Sequence, residues 1–214
     1  MKLIAVTDDQ QSISDLVKTL IAIEPYIDGV ILREKSKSDK ELLTLIQALK
    51  EVQFNAKKIT VHAKPELAAL EHIENVQLPG QSEPLASLKR QFSKQSFGKS
   101  VHTLAEAESA EKAGADTVLY GHVFDTNSKF GLAPRGTDEL RQITASLDIP
   151  VYAIGGIQPM HIEQLWQLNV VGIAVMSSIF HHENPMEAAK SYYDAIHRKG
   201  REDLCIKKSH SMEI

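Results

Sequence analysis

Between residues 3 and 197 the chain alternates short apolar runs with longer amphipathic stretches, and it does so eight times. The short runs cover residues 3–7, 29–33, 58–62, 75–78, 98–101, 117–121, 150–154 and 172–176. Continuous apolar runs of this length read as strands buried on both faces, the kind found in parallel sheets. The stretches between them carry helical spacing, as in Leu42, Leu43, Leu45, Ile46 and Leu49. They predict helices over 13–23, 39–52, 66–71, 84–92, 104–113, 137–146, 160–168 and 185–197. Strand–helix alternation demands parallel pairing with right-handed crossovers. Eight units fit a closed TIM (β/α)8 barrel better than an open doubly wound sheet. With 214 residues, such a barrel is compact against the roughly 250 residues usual for this architecture. One domain is expected over residues 1–197, followed by a polar tail over 198–214.

Punctuation supports the same frame. Ser38 or Asp39 is placed to cap the second helix, Pro84 suits a first helical turn, and Gly114 suits a helix end. Asp8-Asp9 could bind a metal or orient a base, but is better placed to cap the first helix. A net charge of -4 gives no reason to expect binding to nucleic acid or to an anionic membrane. The apolar start, Met1 to Thr7, is too short for a signal peptide, and no run approaches a membrane span. Cys205 is the sole cysteine, so an internal disulfide and a cysteine metal cluster are excluded. A cytoplasmic protein is the expectation.

In such a barrel, chemistry belongs to the rim where the strands end. Two segments stand out there. Val151-Tyr152-Ala153-Ile154-Gly155-Gly156-Ile157 and Gly172-Ile173-Ala174-Val175-Met176-Ser177-Ser178 end the seventh and eighth strands in small residues. These let a ligand approach the backbone, and loops after strands seven and eight commonly hold a phosphate. Arg33-Glu34-Lys35 follows the second strand. Arg33 and Lys35 suit an anion, with Glu34 fixing Arg33; a solvated charge run continuing into Lys37 is the other reading. His122 ends the sixth strand, where a histidine can move protons or serve a structural bond. Ser100 and His102 leave the fifth strand and could bind a carboxylate or orient His122. Thr126, Asn127, Ser128 and Lys129 open a long loop, with Lys129 a second anion contact. No histidine or carboxylate spacing suits a metal site.

Five motifs together resemble the thiamine-phosphate synthase superfamily over nearly the whole chain. They are Ile31-Leu32-Arg33-Glu34-Lys35, Gly98 to Thr103, Gly121-His122-Val123-Phe124-Asp125-Thr126, Ala153 to Ile157, and Ala174-Val175-Met176-Ser177. The synthase branch couples a pyrimidine diphosphate to a thiazole phosphate with magnesium. Its pattern has an Asn-Asp pair after the third strand and an Asp within Gly-Gln-x-Asp after the fourth. Here those places read His62-Ala63 and Gly80-Gln81-Ser82-Glu83, and Mg2+ needs oxygen ligands. The TenI branch, the thiazole tautomerases, instead carries a histidine where His122 stands.

The resemblance therefore implies an isomerase that aromatises a carboxythiazole phosphate by proton transfer through His122. Gly155, Gly156, Met176 and Ser177 would hold the phosphate. Ser100, His102, Thr126, Asn127, Ser128 and Lys129 would contact other polar groups of the substrate, and Arg33 and Lys35 are substrate-binding positions inherited from a diphosphate site. It implies no cofactor, no metal, a small-molecule thiazole phosphate as partner, and a homodimer. Two alternatives stay open: a thiamine-phosphate synthase, and a non-catalytic regulator that binds a thiazole phosphate.

Overall fold

A computed structural model describes residues 1–126, 131 and 133–210, with side chains through residue 198. Eight strands form a closed parallel barrel in sequence order. They are β1 (Lys2–Val6), β2 (Gly29–Leu32), β3 (Ile59–His62), β4 (Asn75–Leu78), β5 (Ser96–Val101), β6 (Thr117–Gly121), β7 (Val151–Ile154) and β8 (Gly172–Val175). Closure comes from β8 pairing back onto β1, with Leu3 opposite Ile173 and Ile4 opposite Ala174. The helices between them are α1 (Ile13–Ile23), α2 (Asp39–Glu51), α3 (Pro65–Leu70), α4 (Leu85–Gln91), α5 (Leu104–Lys112), α6 (Asp138–Ser146) and α7 (Ile162–Trp166). After β8 come α8 (Ser177–Phe180) and α9 (Pro185–His210).

The apolar runs divide by strand periodicity, because successive side chains point to opposite faces. Leu3, Ala5, Val30 and Leu32 belong to the large core between strands and helices, together with Leu20, Leu45, Ile46 and Leu165. Val6, Ile31, Leu119 and Ala174 form a second, smaller cluster inside the barrel. A strand that packs on both faces has to be apolar throughout, which is why the runs show no alternation. Truncating any one of the fully buried leucines, such as Leu45 at 0% exposure, would cost about 2–5 kcal/mol.

Local details adjust the sequence reading. The first helix is capped by Ser12, whose hydroxyl accepts from the Asp15 N–H at 3.2 Å, and not by Asp8 or Asp9. Those aspartates lie too far ahead of Ile13 to reach its first turn. At α2 the choice falls to Ser38, which forms a reciprocal capping box with Glu41. Pro84 sits at the cap position of α4, one residue before the first turn. The helix expected over 160–168 begins as a 3-10 turn at Pro159–His161 and shortens to α7. A one-turn helix, α8, was not foreseen, and α9 continues past His197.

Side-chain bonds also tie the strand ends together. The Thr7 hydroxyl accepts from the Arg33 N–H at 2.8 Å, fixing the end of β2 against β1. Among the described residues, no helix is long and apolar enough to cross a membrane.

Candidate active site

At the C-terminal mouth of the barrel lies a cavity of about 340 Å³, to which every one of the strands contributes. Its floor is the inner apolar cluster, including Val6, Ile31, Leu119 and Ala174. Arg33, Lys35, Ser100, His102, His122, Thr126, Gly155, Gly156, Met176 and Ser177 all line it. Asn127, Ser128 and Lys129 lie outside the described residues.

One wall is made of backbone. Gly155 (φ 102°) and Gly156 (φ 66°) take left-handed conformations that side chains rarely adopt. A Cβ on Gly155 would sit 2.6 Å from the His122 Cα, and one on Gly156 would sit 2.6 Å from the Phe124 carbonyl oxygen. The loop after β6 is held against this wall, with the Val123 N–H donating to Ile154 and the Phe124 N–H donating to Gly155, each at 3.0 Å. Beside it, α8 starts at Ser177 with Met176 at its cap. The first N–H groups of any helix have no partner within it, and here they border the cavity. With a single turn, α8 has little macrodipole, so direct N–H donation is what this wall offers an anion.

Behind that wall stands a residue with no motif to mark it. Tyr192 of α9 is 1% exposed, donates to the Ile157 carbonyl at 2.7 Å and is hydrogen-bonded by the Ser178 hydroxyl. It therefore joins the loops after β7 and β8. Gln158 adds a 3.3 Å bond to the Ser178 hydroxyl.

The opposite wall is cationic. Arg33 and Lys35 line the cavity, while Glu34 between them turns away and is 6% exposed. Glu34 does not fix Arg33, as expected from sequence; its ion-pair partner is Lys37. The chain bends at residues 35–37 as it leaves β2, which brings Lys37 back onto Glu34. Asp9 joins them, 3.7 Å from the Lys37 ammonium and accepting from the Ser36 N–H and hydroxyl. Burial raises the Asp9 carboxyl, but the Ser36 bonds and the Lys37 charge outweigh it and hold it below the usual range. His62, beside the two cations, is pushed down to about 4 by burial first and then by Arg33 and Lys35. It is a neutral imidazole at pH 7.

The third side is polar. The Gln77 amide donates to the Ser100 hydroxyl at 3.0 Å. It reaches across because Gly98, opposite it on β5, has no side chain; a Cβ there would lie 2.8 Å from the Thr117 hydroxyl and would overlap the Gln77 amide. The His102 ring faces Glu106 at 3.4 Å. Ser100 and His102, which the sequence offers for binding a carboxylate or orienting His122, both line the cavity. His122 itself is 8% exposed, against the Gly155 turn. In the sequence His62 stands out only as a departure from the synthase pattern, and Tyr192 carries no motif that marks it.

Magnesium is the metal implied by the synthase branch, and the donors here do not fit it. None of the described residues lining the cavity is an aspartate or glutamate. Asp9 bonds Ser36, Glu34 pairs with Lys37 and Asp8 lies 3.0 Å from His181, and none of the three lines the cavity, although one oxygen each of Glu34 and Asp8 is buried without a hydrogen-bond partner. Glu83 faces a separate groove beside α4 and α5. Among the described residues, no group of histidines, cysteines and carboxylates could hold a metal ion.

The TMP-TENI family profile, described as thiamine monophosphate synthase, matches residues 3–179. The chain belongs to this family. A thiamine-phosphate synthase of Caldivirga maquilingensis is 30% identical over 193 residues, covering 89% of this chain and 94% of the relative. One from Chlorobium luteolum is 32% identical over 192 residues, covering 88% and 90%. Among solved structures, a thiamine phosphate pyrophosphorylase from Pyrococcus furiosus superposes with a TM-score of 0.78 at 28% identity, covering 92% of this chain and 96% of the other.

These findings overturn the tautomerase expectation. It rested on two local features, His62-Ala63 and His122, whereas relatives similar along almost the whole chain are named synthases. They point to an enzyme, and to a transferase in place of an isomerase.

Proposed function

We propose that this protein is a thiamine-phosphate synthase, joining a pyrimidine diphosphate to a thiazole phosphate and releasing diphosphate. Beyond the family membership, one observation supports the reading. A single cavity of about 340 Å³ has an anion-suited wall on each of two sides, and this reaction brings two phosphorylated substrates together.

The backbone wall at Gly155, Gly156, Met176 and Ser177 suits the monophosphate of the thiazole. N–H donors bind such an anion without adding charge, and Tyr192 keeps the two loops in register. The cationic wall suits the diphosphate. As the new bond forms at the carbon that carries it, the C–O bond breaks and its electron pair leaves with the diphosphate. Negative charge grows there, and Arg33 and Lys35 stabilise it more in the transition state than in the bound substrate. Ser100 and His122 lie between the walls, where the two rings would meet, and we assign them polar contacts to those rings. The apolar floor excludes water from the reacting carbon. A small-molecule biosynthetic role of this kind fits a cytoplasmic protein.

The test is coupling by the purified protein, with both substrates present and with either excess Mg2+ or EDTA. Thiamine phosphate that forms only when both substrates are supplied supports the proposal. No product in either condition, from protein that binds both substrates, removes it.

A further inference from the structure

We infer that the wall formed by Arg33, Lys35 and His62 takes a diphosphate directly, as the metal-free anion. The inference rests on the synthase reading for the identity of the ligand, but not for the chemistry of the wall.

Charge sorting along one short segment carries the argument. Arg33 and Lys35 line the cavity, and the carboxylates within reach are paired elsewhere, Glu34 and Asp9 with Lys37 and Asp8 beside His181. Lys37 thus draws Glu34 and Asp9 to its own side of the segment, and Arg33 and Lys35 face a cavity that no described aspartate or glutamate lines. Residues 127–130 and 132 are Asn, Ser, Lys, Phe and Leu, and Asp125, the one carboxylate between β6 and α6, is not among the described residues that line the cavity.

At the end of β3 the same logic holds. Ala63 has φ 60°, a left-handed conformation that asparagine and aspartate take more readily than alanine. The backbone keeps a shape suited to an acidic residue, while the side chain offers no oxygen. His62 beside it is neutral, so it can donate an N–H to an anion but cannot supply a hard oxygen ligand. A divalent cation would meet two positive side chains and no negative one. A diphosphate meets complementary charge, and guanidinium and phosphate form bidentate bonds.

Inorganic pyrophosphate is the probe, titrated into the full chain by calorimetry with EDTA and, separately, with excess Mg2+. The expected affinity in EDTA is equal to or tighter than that with Mg2+. The pair Arg33→Gln and Lys35→Gln should weaken binding at least a hundredfold in EDTA, with thermal unfolding used to confirm that the variant is folded. The pair His62→Asn and Ala63→Asp restores the oxygen donors and should make pyrophosphate bind at least tenfold more tightly with Mg2+ than in EDTA. Binding by the unmodified chain that requires Mg2+, or binding unaffected by loss of both cations, overturns the inference. Coupling that occurs only with Mg2+ would also overturn it and leave the synthase reading standing. Metal-free pyrophosphate binding without coupling would do the reverse.

Discussion

Substituting Gly156 by alanine separates two effects that the backbone wall combines. Gly156 and Gly136 both have left-handed backbones, with φ 66° and 77°. An alanine at either position would bear the same conformational cost, about 1–2 kcal/mol. They differ in what a Cβ would meet. At Gly136 nothing lies within 4 Å, whereas at Gly156 the carbonyls of Phe124 and Asp125 are in the way, the Phe124 oxygen at 2.6 Å. Backbone carbonyls cannot swing aside as a side-chain tip can, and overpacking of this kind adds about 1–3 kcal/mol. Gly156→Ala should therefore cost about 2–5 kcal/mol and Gly136→Ala about 1–2 kcal/mol. With a urea m-value of about 2 kcal/mol/M, the midpoints should fall by about 1–2.5 M and by about 0.5–1 M. A thiazole phosphate should also bind at least tenfold more weakly to Gly156→Ala and unchanged to Gly136→Ala. Equal midpoint shifts for the two variants, with unchanged binding in both, would refute the steric account of this loop.

Three further outcomes follow from the same geometry. Lys37→Met leaves Glu34, whose side chain is 1% exposed, without its ion-pair partner, and should cost about 3–5 kcal/mol; adding Glu34→Gln should recover most of it in thermal unfolding. His62 has a folded pKa lowered from 6.5 to about 4, so the unfolded chain binds the extra proton first as pH falls. Stability should drop progressively from about pH 6.5 to about pH 4, by on the order of 2–3 kcal/mol after solvent screening, and His62→Gln should flatten that part of the profile. Tyr192→Phe removes the bond to the Ile157 carbonyl, with about 1–2 kcal/mol lost; in coupling assays it should raise the KM for the thiazole phosphate more than it lowers kcat.

The barrel was readable because its signal is local and repeated. Each strand announces itself as an apolar run, since it packs against helices on one face and the barrel interior on the other, as Leu3 and Ile4 do. The backbone wall was readable for a related reason: Gly155-Gly156 marks a turn whose geometry excludes side chains. Partnerships were harder to read. Glu34 could pair with Arg33 or Lys37 on spacing alone, and only the direction of the chain leaving β2 decides it. Ser12 rather than Asp9 caps α1 because of where the turn begins, which composition does not fix. Tyr192 lies 35 residues from Ile157, on a helix face that reads as ordinary core. Function was misjudged at the branch level because a few rim residues were weighed above similarity spread along the chain.

The most direct test of the account is diphosphate release measured while the two substrates are mixed. The expected result is one diphosphate for each thiamine phosphate, appearing only when both substrates are present and lost in the Arg33→Gln, Lys35→Gln variant while its fold persists. Diphosphate released from the pyrimidine substrate alone at the same rate, or full coupling by that variant, would contradict it.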